Sequence, residues 1–475
     1  MKGPAAQSLG ITALVLLLFL TACSGGSDSS VASSDGGIEG TGAPVASAGA
    51  ISSFGSVFVN GIEYDTNTAD IIIDDETAQP ESALKLGMLV LVRGTRSSSE
   101  LTGNATSITF ETKLIGPASS VAITEESGSL TILGVNVLIT EETVIDAATL
   151  ATLNNGQVLS ISGFSLDNDI VATRIDLLSD DYTDGERLEF EGEIAELDSS
   201  NLRFRINTQW VDYSAATILP ASLENLELGQ LVDVRGNGFD SGNRLLATRI
   251  KVKVSEFNFE AGDAVELEGI VSNYVSIADF SLAGTNIDAS EAEFKKGTAS
   301  DINNGVHLEV EGVIDSEGRL QASKVVVKNS PTVRLRGSAQ SINTSNGTLE
   351  ILGAQIAVDS TTLLKDVSDA HLKYFSLADI NAGDWIEVRG TTDANTVNAS
   401  SLTRRKSNVP ARIKGTISEV TGTDVTVLGI SIDLSSLTEG GSLVAALEVG
   451  DVIDVTGEEV GSGSLQANTL SLADD

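Results

Sequence analysis

The chain has 475 residues and a formal net charge of −38, with 41% hydrophobic residues, 4% aromatic residues and a single cysteine. This length is enough for several domains. The negative charge argues against binding to nucleic acid or anionic lipid, because affinity for phosphate comes mainly from Lys and Arg. One cysteine cannot form an internal disulfide, so the folded part must depend on its own cores or on packing between neighbouring domains.

The N-terminus carries a predicted export signal over residues 1–22. Lys2 precedes an apolar run at residues 11–20, which is too short to cross a bilayer that needs about 20 apolar residues. The run ends in Leu-Thr-Ala-Cys at Cys23, which resembles the lipobox of bacterial lipoproteins. The resemblance implies cleavage before Cys23 and lipidation of that residue, which makes the membrane a partner. An ordinary secretory signal with an incidental cysteine is the alternative.

Residues 23–42 consist mostly of Ser, Gly, Asp and Ala and contain almost no large apolar residue. Such a segment cannot bury enough surface to offset the entropy of ordering, so we predict a flexible tether. Ser24 follows the lipidated position, and by resemblance to Gram-negative lipoproteins the absence of Asp there implies transfer to the outer membrane. We therefore expect a lipid-anchored protein of the cell envelope.

A strand bounded by two glycines, seven residues apart, recurs six times. We call it the Gly-bounded strand, and its glycine pairs are Gly87/Gly94, Gly156/Gly163, Gly229/Gly236, Gly305/Gly312, Gly383/Gly390 and Gly450/Gly457. The third and fifth residues after the first glycine are always apolar, as Val232 and Val234 are in the third copy. This alternation predicts a strand with one buried face, so that Val234 points inward and Asp233 meets water.

The surroundings of the Gly-bounded strand predict a small barrel. A second strand with an Ala-Thr-x-Ile pattern follows it, as at residues 247–250, and the two form a hairpin. Before it come a first strand interrupted by glycine, as at residues 188–192, then a hairpin and a longer connecting segment. This order is typical of a five-stranded barrel of the OB type, with a helix between strands three and four. A β-solenoid is less favoured, because solenoid repeats are usually about 20 to 45 residues long.

The two back-half patterns, Gly-x-x-Val-x-Val-x-Gly and Ala-Thr-x-Ile, resemble the family of tandem domains of unknown function 5666 of bacterial lipoproteins. The resemblance covers residues 43–475 and implies an envelope lipoprotein, but no activity. The predicted fold class is all-β, a tandem array of about six small OB-like barrels, each with room for a short helix. The predicted repeats, numbered 1 to 6, are residues 43–110, 111–178, 186–254, 263–327, 332–403 and 410–475.

Candidates for catalysis are few. His307 stands where the other repeats have apolar residues, which predicts packing at a strand start. His371 lies in an insertion found only in the fifth repeat, which favours a local surface or packing role. Ser82 and Lys85 match the Ser-x-x-Lys motif of penicillin-binding enzymes, but the partner motifs are missing and we attribute the match to chance. We predict no catalytic residue and no cofactor.

Metal binding has equally little support in the sequence. Zinc is disfavoured because the only cysteine is assigned to lipid and the two histidines are distant. Calcium stays open at one acidic linker without EF-hand spacing, and a solvated linker is the favoured interpretation. The carboxylates of that linker are Asp180, Asp181, Asp184 and Glu186. No metal site is predicted.

Two remaining groups are expected to be structural. Trp210 and Trp385 occupy different positions of different repeats, which favours packing over a sugar-stacking platform. The single basic cluster, residues 404–406, lies beside Pro410 and is expected to be a solvated linker. An OB barrel without a basic groove or an aromatic column lacks both parts of a single-strand nucleic-acid site.

The leading functional hypothesis is a non-enzymatic, lipid-anchored envelope protein that serves as a scaffold, spacer or adhesion module for an unknown envelope protein or glycan. The alternative is a ligand-binding lipoprotein for a glycan, peptide or divalent cation, with its pocket in one diverged repeat. An envelope hydrolase comes third. A pocket in a single repeat would favour ligand capture, whereas six similar filled barrels would favour a scaffold.

Overall fold

The computed structural model describes residues 43–473 except 98–100, 125–126, 146–151, 224, 329, 394–395 and 438–440. The predicted signal peptide, the tether and Cys23 lie outside the described residues. The described residues belong to one compact unit. In this part of the chain no helix is long and apolar enough to cross a membrane.

The first three repeats contain 18 strands. Repeat 1 has β1 (Ala43–Phe54), β2 (Val57–Val59), β3 (Ile62–Asp65), β4 (Asp70–Ile73), β5 (Leu89–Arg96) and β6 (Thr102–Phe110). Repeat 2 has β7 (Leu114–Ile123), β8 (Gly128–Ile132), β9 (Val135–Val144), β10 (Val158–Leu166) and β11 (Asp169–Ser179). Repeat 3 has β12 (Leu188–Glu193), β13 (Glu196–Asp198), β14 (Arg203–Ile206), β15 (Gln209–Asp212), β16 (Thr217–Leu219), β17 (Leu231–Phe239) and β18 (Leu245–Lys253).

The last three repeats contain the other 17 strands. Repeat 4 has β19 (Ala264–Ser276), β20 (Asp279–Leu282), β21 (Thr285–Asp288), β22 (Glu293–Lys296), β23 (His307–Ile314) and β24 (Leu320–Lys328). Repeat 5 has β25 (Val333–Asn343), β26 (Thr348–Ile351), β27 (Ala354–Ala357), β28 (Leu363–Asp366), β29 (Trp385–Asp393) and β30 (Thr396–Arg405). Repeat 6 has β31 (Ala411–Thr421), β32 (Asp424–Val427), β33 (Ile430–Asp433), β34 (Val452–Glu459) and β35 (Ser464–Leu472).

Each repeat closes into a five-stranded barrel, as predicted. In repeat 1, β1 pairs with β2, β2 with β3, β3 with β6, β6 with β5, and β5 again with β1. The pairing of β3 with β6 is parallel and the others are antiparallel. The same circuit recurs in repeats 2, 4, 5 and 6, and in repeat 3 the first strand is divided into β12, which pairs with β17, and β13, which pairs with β14. The order first, second, third, fifth, fourth is that of an OB barrel, so the fold is all-β with six tandem OB-like units.

The connecting segment is a short strand in most repeats, where the sequence left room for a helix. β4, β16, β22 and β28 each run parallel to the last strand of their barrel. Residues 70–73 show the reason, because the run Asp-Ile-Ile-Ile of β4 is rich in β-branched side chains that favour strands. Helix is limited to 3₁₀ turns at Glu81–Ala83, Ala299–Asp301 and Leu377–Asp379 and to α1 (Gly441–Val444) among the described residues.

The two glycines of the Gly-bounded strand meet different physical demands. Gly87, the first of its pair, has φ +77°, in the left-handed region that favours glycine. Gly94, the second, lies beside a β-bulge, and a Cβ there would come within 2.1 Å of the carbonyl oxygen of Asn104. The other five pairs repeat both features. The two glycines, seven residues apart, therefore mark a position with positive φ at the start of the strand and a β-bulge near its end.

The predicted inward residues of the Gly-bounded strand are confirmed. All are fully buried: Val90, Val92, Leu159, Ile161, Val232, Val234, Leu308, Val310, Ile386, Val388, Ile453 and Val455. The barrel interiors are thus filled by their own aliphatic side chains. Full burial of such a side chain contributes about 1.5–3 kcal/mol to the free energy of unfolding.

The barrels associate in three pairs that depart from chain order. The first strands of repeats 2 and 3, β7 and β12, pair antiparallel, as do β25 and β31 of repeats 5 and 6. The first strands of repeats 1 and 4, β1 and β19, pair parallel. Each pairing satisfies backbone groups of the first strand that its own barrel leaves open. The pair formed by repeats 2 and 3 therefore lies, in the sequence, between repeats 1 and 4, which pair with each other.

The expectation that Asp233 meets water is wrong. Its side chain is buried and lies 2.7 Å from Arg249. The outer face of this strand is covered because neighbouring repeats pack on it. The period-two alternation therefore separates an apolar interior from a charged interface, and not from solvent.

Candidate functional site

Four outward positions recur in each repeat, and in repeats 3, 4 and 5 all four are charged. They are the third and first residues before the glycine of the first strand, and the fourth and sixth residues after the first glycine of the Gly-bounded strand. We call them the outer quartet. The quartets of repeats 3, 4 and 5 are Glu189, Glu191, Asp233 and Arg235; Glu266, Glu268, Glu309 and Glu311; and Arg334, Arg336, Glu387 and Arg389. Strand register places the members of a quartet opposite one another.

The quartet of repeat 4 is wholly acidic. Oxygens of Glu266, Glu309 and Glu311 lie within 4.8 Å of one another, and all three side chains are buried. Arg96 of repeat 1 approaches both Glu266 and Glu311 to 3.6 Å. Burial, followed by the charges of Glu309 and Glu311, raises the pKa of Glu266 to about 8. The neutral form of Glu266 is therefore favoured at neutral pH.

Cations of the last strand complete the surroundings of these carboxylates. Lys324 pairs with Glu311, and Lys328 lies 2.7 Å from Glu309. Within the described ranges this trio is the group with metal-ligand spacing, but Arg96, Lys324 and Lys328 already supply positive charge to it. Because a further buried cation would be opposed by these three, we assign no metal ion here.

The quartet of repeat 5 has the opposite sign. Glu387 is its one acid, and four arginines surround it at 2.9 to 3.2 Å: Arg334, Arg336, Arg389 and Arg405. Burial alone would raise the pKa of Glu387, but the arginine charges outweigh it and hold the value at about 2. This carboxylate is therefore ionised under all physiological conditions.

The expectation that residues 404–406 form a solvated linker is wrong for Arg404 and Arg405, whereas Lys406 follows the strand and is exposed. Arg404 and Arg405 belong to β30. Arg404 is buried and lies 2.6 Å from Asp366, while Arg405 lies 3.0 Å from Glu387. The prediction failed because a solvated linker and a strand at a charged interface can have the same composition. The sequence of one strand does not show which residues pack against it. Arg404 and Arg405 are structural.

Repeat 1 is joined to four other repeats by polar contacts. Lys85 lies 3.1 Å from Asp176 of repeat 2, and Arg93 lies 3.1 Å from Asp263 at the start of repeat 4. Repeats 3 and 5 are joined to it through the pairs Arg187 with Asp74, at 2.8 Å, and Lys373 with the Ser82 carbonyl oxygen, also at 2.8 Å. The polar outer faces are therefore used largely to hold repeats together.

A cleft of about 320 Å³ opens where repeats 1, 2 and 3 meet the segment that precedes repeat 4. Leu89 and Leu91 of β5 and Phe257, in the segment before repeat 4, give it an apolar floor. Its wall carries three cations and five carboxylates: Arg93, Lys113, Lys253, Glu111, Glu191, Asp233, Glu256 and Glu260. The cleft lies between repeats, and not inside one diverged barrel.

The two histidines lie in different repeats and have different surroundings. His307 begins β23, where it lies 3.1 Å from Glu268 and 5.0 Å, between ring centroids, from Phe164 of repeat 2. This agrees with the predicted packing at a strand start. His371 is exposed in repeat 5. The structure does not bring the two together with a nucleophile among the described residues.

The remaining sequence candidates are dispersed. Trp210 lies in β15 of repeat 3, whereas Trp385 begins β29 and packs on the core shared by repeats 5 and 6. Lys85 of the Ser-x-x-Lys match is paired with Asp176.

The acidic linker shows only local contacts. The Asp180 carboxylate accepts a hydrogen bond from Gln157 at 3.3 Å, and that of Glu186 accepts one from the Thr183 backbone N–H at 3.1 Å. In the described part of the chain, the metal-like spacing of carboxylates occurs at the repeat 4 quartet and not at this linker.

Sequence reasoning missed the quartets and the cleft, although both leave a signal. The two outward residues that alternate with the core are both charged in the first strands of repeats 3 to 6, which is unusual for a face that only meets water. Residues 88–92, Met-Leu-Val-Leu-Val, are apolar on both faces of β5. A continuous apolar run of this length is typical of a strand covered on both sides.

A family model described as a domain of unknown function (DUF5666) matches six segments, residues 44–109, 116–176, 191–251, 268–326, 336–402 and 414–469. A search of curated proteins finds no match. Each matched segment falls on one of the six barrels described above. Since these segments cover well over half of the chain, it belongs to the DUF5666 family and carries six tandem copies of the domain.

Proposed function

We propose that this chain is a non-enzymatic, lipid-anchored protein of the bacterial cell envelope that serves as a scaffold, spacer or interaction module. The observation that carries the proposal is the use of polar side chains. Core residues fill each barrel, and the charged outer faces are engaged between repeats. A multi-barrel body whose repeats are joined by ion pairs, and which has a strong net negative charge, suits a structural role.

An envelope hydrolase has less support. Nucleophilic catalysis needs a base within hydrogen-bond reach of a Ser, Thr or Cys. Of the two histidines, His307 is engaged by Glu268 and Phe164, and His371 is exposed on another repeat.

Lipid anchoring is tested by Cys23→Ser. Metabolic labelling with a radioactive fatty acid should mark the unsubstituted chain and not the variant, because the substitution removes the acceptor thiol. The variant should also appear in the soluble fraction. Continued labelling would refute the anchor, and recovery of the unsubstituted protein only from inner-membrane fractions would refute outer-membrane placement.

The interaction role is tested by photo-cross-linking in intact cells. A cross-linking residue at the exposed Val275 or Val460 should give discrete adducts with an envelope component. A control at Val234 should give none, because that side chain is fully buried inside a barrel. An absence of adducts from exposed positions in every repeat, combined with hydrolytic activity of the purified chain, would refute the proposal.

A further inference from the structure

The apolar floor of the cleft arises from a departure of repeat 1 from the other repeats. Leu91 occupies the fourth position after the first glycine, an outer-quartet position. The residues there in repeats 2 to 6 are polar: Ser160, Asp233, Glu309, Glu387 and Asp454. The position of Leu89 is apolar in most repeats, so the exchange at Leu91 is what extends it into an aliphatic surface at the cleft.

The cations of the cleft wall are already engaged by protein groups. Each lies 2.6 to 3.1 Å from two partners: Arg93 from Asp263 and the Asn258 carbonyl, Lys113 from Glu191 and Glu256, and Lys253 from Glu111 and Glu191. An incoming anion would have to displace these contacts. The wall therefore offers little to a negatively charged ligand.

Five carboxylates line the wall, and four of them are already paired with a lysine or arginine: Glu191 and Glu256 with Lys113, Glu111 with Lys251 and Lys253, and Asp233 with Arg249. Among the described residues, Glu260 is the lining carboxylate without an ion pair. A carboxylate has about four acceptor sites on its two oxygens, so those that already bind a lysine can accept further donors. Glu260 is exposed at the end of the lining segment. The net charge of −38 on the whole chain also raises the local concentration of cations.

We propose that this cleft binds a small organic cation that carries an apolar group. Its ammonium would meet the wall carboxylates, with Glu260 at the entrance, and its apolar part would cover Leu89 and Leu91. The volume of about 320 Å³ lies at the lower end of the range for ligand pockets, about 300–1,000 Å³, which fits a molecule with a single ring. This binding activity does not depend on the proposed scaffold role.

The proposal is tested by isothermal titration calorimetry on the full chain in detergent. Benzylamine, benzyl alcohol and benzoate share a ring and differ in charge, so each is titrated up to about 10 mM, a range that covers weak binding. Benzylamine should bind saturably and more tightly than the other two. Equal affinity for all three probes, a preference for benzoate, or no saturable binding of benzylamine would overturn the proposal.

Two substitutions locate the site. Glu260→Gln should weaken benzylamine binding about two- to fivefold, the range of an exposed ion pair. Leu91→Ser, which introduces the residue type found in repeat 2, should weaken it about three- to tenfold through lost apolar contact. Glu419→Gln, the same charge change on the exposed surface of repeat 6, should leave the affinity unchanged. If Leu91→Ser fails to fold by circular dichroism, Glu260→Gln decides alone, and unchanged affinity in that variant overturns the proposal.

Discussion

Repeats 4 and 5 share a barrel topology and an aliphatic core, but their outer quartets carry opposite charge. Repeat 4 has glutamate at all four positions, and repeat 5 keeps only Glu387 among three arginines. The acidic quartet receives Arg96 from repeat 1, which lies far away in the sequence. The basic quartet has its shared counter-ion, Glu387, within the repeat, and Arg389 also lies 3.0 Å from Glu141 of repeat 2. Inward residues thus specify the barrel, whereas outward residues help to specify which neighbour it accepts.

The magnitudes support this division of roles. A buried charge left without its partner costs about 3–5 kcal/mol, which is comparable to the whole stability of a small domain. An acidic quartet against another acidic face would meet several such costs. Charge on the outer face can therefore reject wrong neighbours even when all six barrels have similar cores.

The comparison between repeats 4 and 5 is tested most directly by producing parts of the chain as separate fragments. A fragment of residues 332–475 should unfold cooperatively in urea, because the core cluster of repeats 5 and 6 lies entirely within it. A fragment of residues 263–327 should not fold as a monomer, because it loses the strand pairing with β1 and the charge of Arg96. Circular dichroism during urea titration measures both. Equal cooperative folding of the two fragments would show that the outer face does not matter for stability.

Glu387→Gln should give the largest effect of a single substitution within the outer quartets. It leaves Arg334, Arg336 and Arg389 facing one another without their common carboxylate, and we expect a loss of about 3–5 kcal/mol in the free energy of unfolding. Chemical denaturation of the full chain measures this loss. Glu419→Gln, an exposed acid of repeat 6, is the control and should change stability by no more than about 0.5 kcal/mol. An equal effect of the two variants would contradict the central role of Glu387.

The sequence predicted the interior of this fold far better than its interfaces. Glycine spacing and apolar alternation predicted the Gly-bounded strands and their inward residues, as at Val234, because these depend on local backbone geometry and on one barrel. They did not predict the β-bulge beside Gly94. Asp233 was misplaced because its environment comes from another repeat. The pairing of repeat 1 with repeat 4 and the cleft at Leu91 likewise depend on contacts that no single repeat contains.

Glu266→Gln should have the opposite sign to the change at Glu387. The folded-state pKa of Glu266 is raised from 4.5 to about 8, so the folded chain holds a proton that the unfolded chain releases. Stability contributed by this site is therefore highest below pH 4.5 and falls as the pH rises towards 8. A neutral Gln removes the penalty, and we expect a gain on the order of 1–3 kcal/mol at alkaline pH.

This prediction is checked by chemical denaturation between pH 5 and pH 9, pH values chosen to bracket the titration of about 8. The variant should show a smaller decline of stability with pH than the unsubstituted chain. Glu387 has the opposite pH dependence, because its folded-state pKa is lowered to about 2. Its contribution to the free energy of unfolding is lost only as the pH falls below 4.5 towards 2. Parallel pH profiles for the Glu266 variant and the unsubstituted chain would refute the raised pKa.

The smallest expected effect is at the mixed quartet of repeat 3, which lies between the two extremes. Asp233→Ala removes the buried partner of Arg249, but that guanidinium keeps its contact with Asp75, so the loss should be about 1–2 kcal/mol. Burial, opposed by the charge of Arg249, raises the pKa of Asp233, which also limits what the carboxylate contributes. Val234→Asp, one residue along β17, should cost several kcal/mol more, because it places a carboxylate in the barrel core without a partner. Chemical denaturation of both variants measures the two losses in the free energy of unfolding. If Asp233→Ala proves neutral, Arg249 is fully satisfied by repeat 1, and in this repeat the charge that joins the barrels comes from Asp75 and not from the quartet.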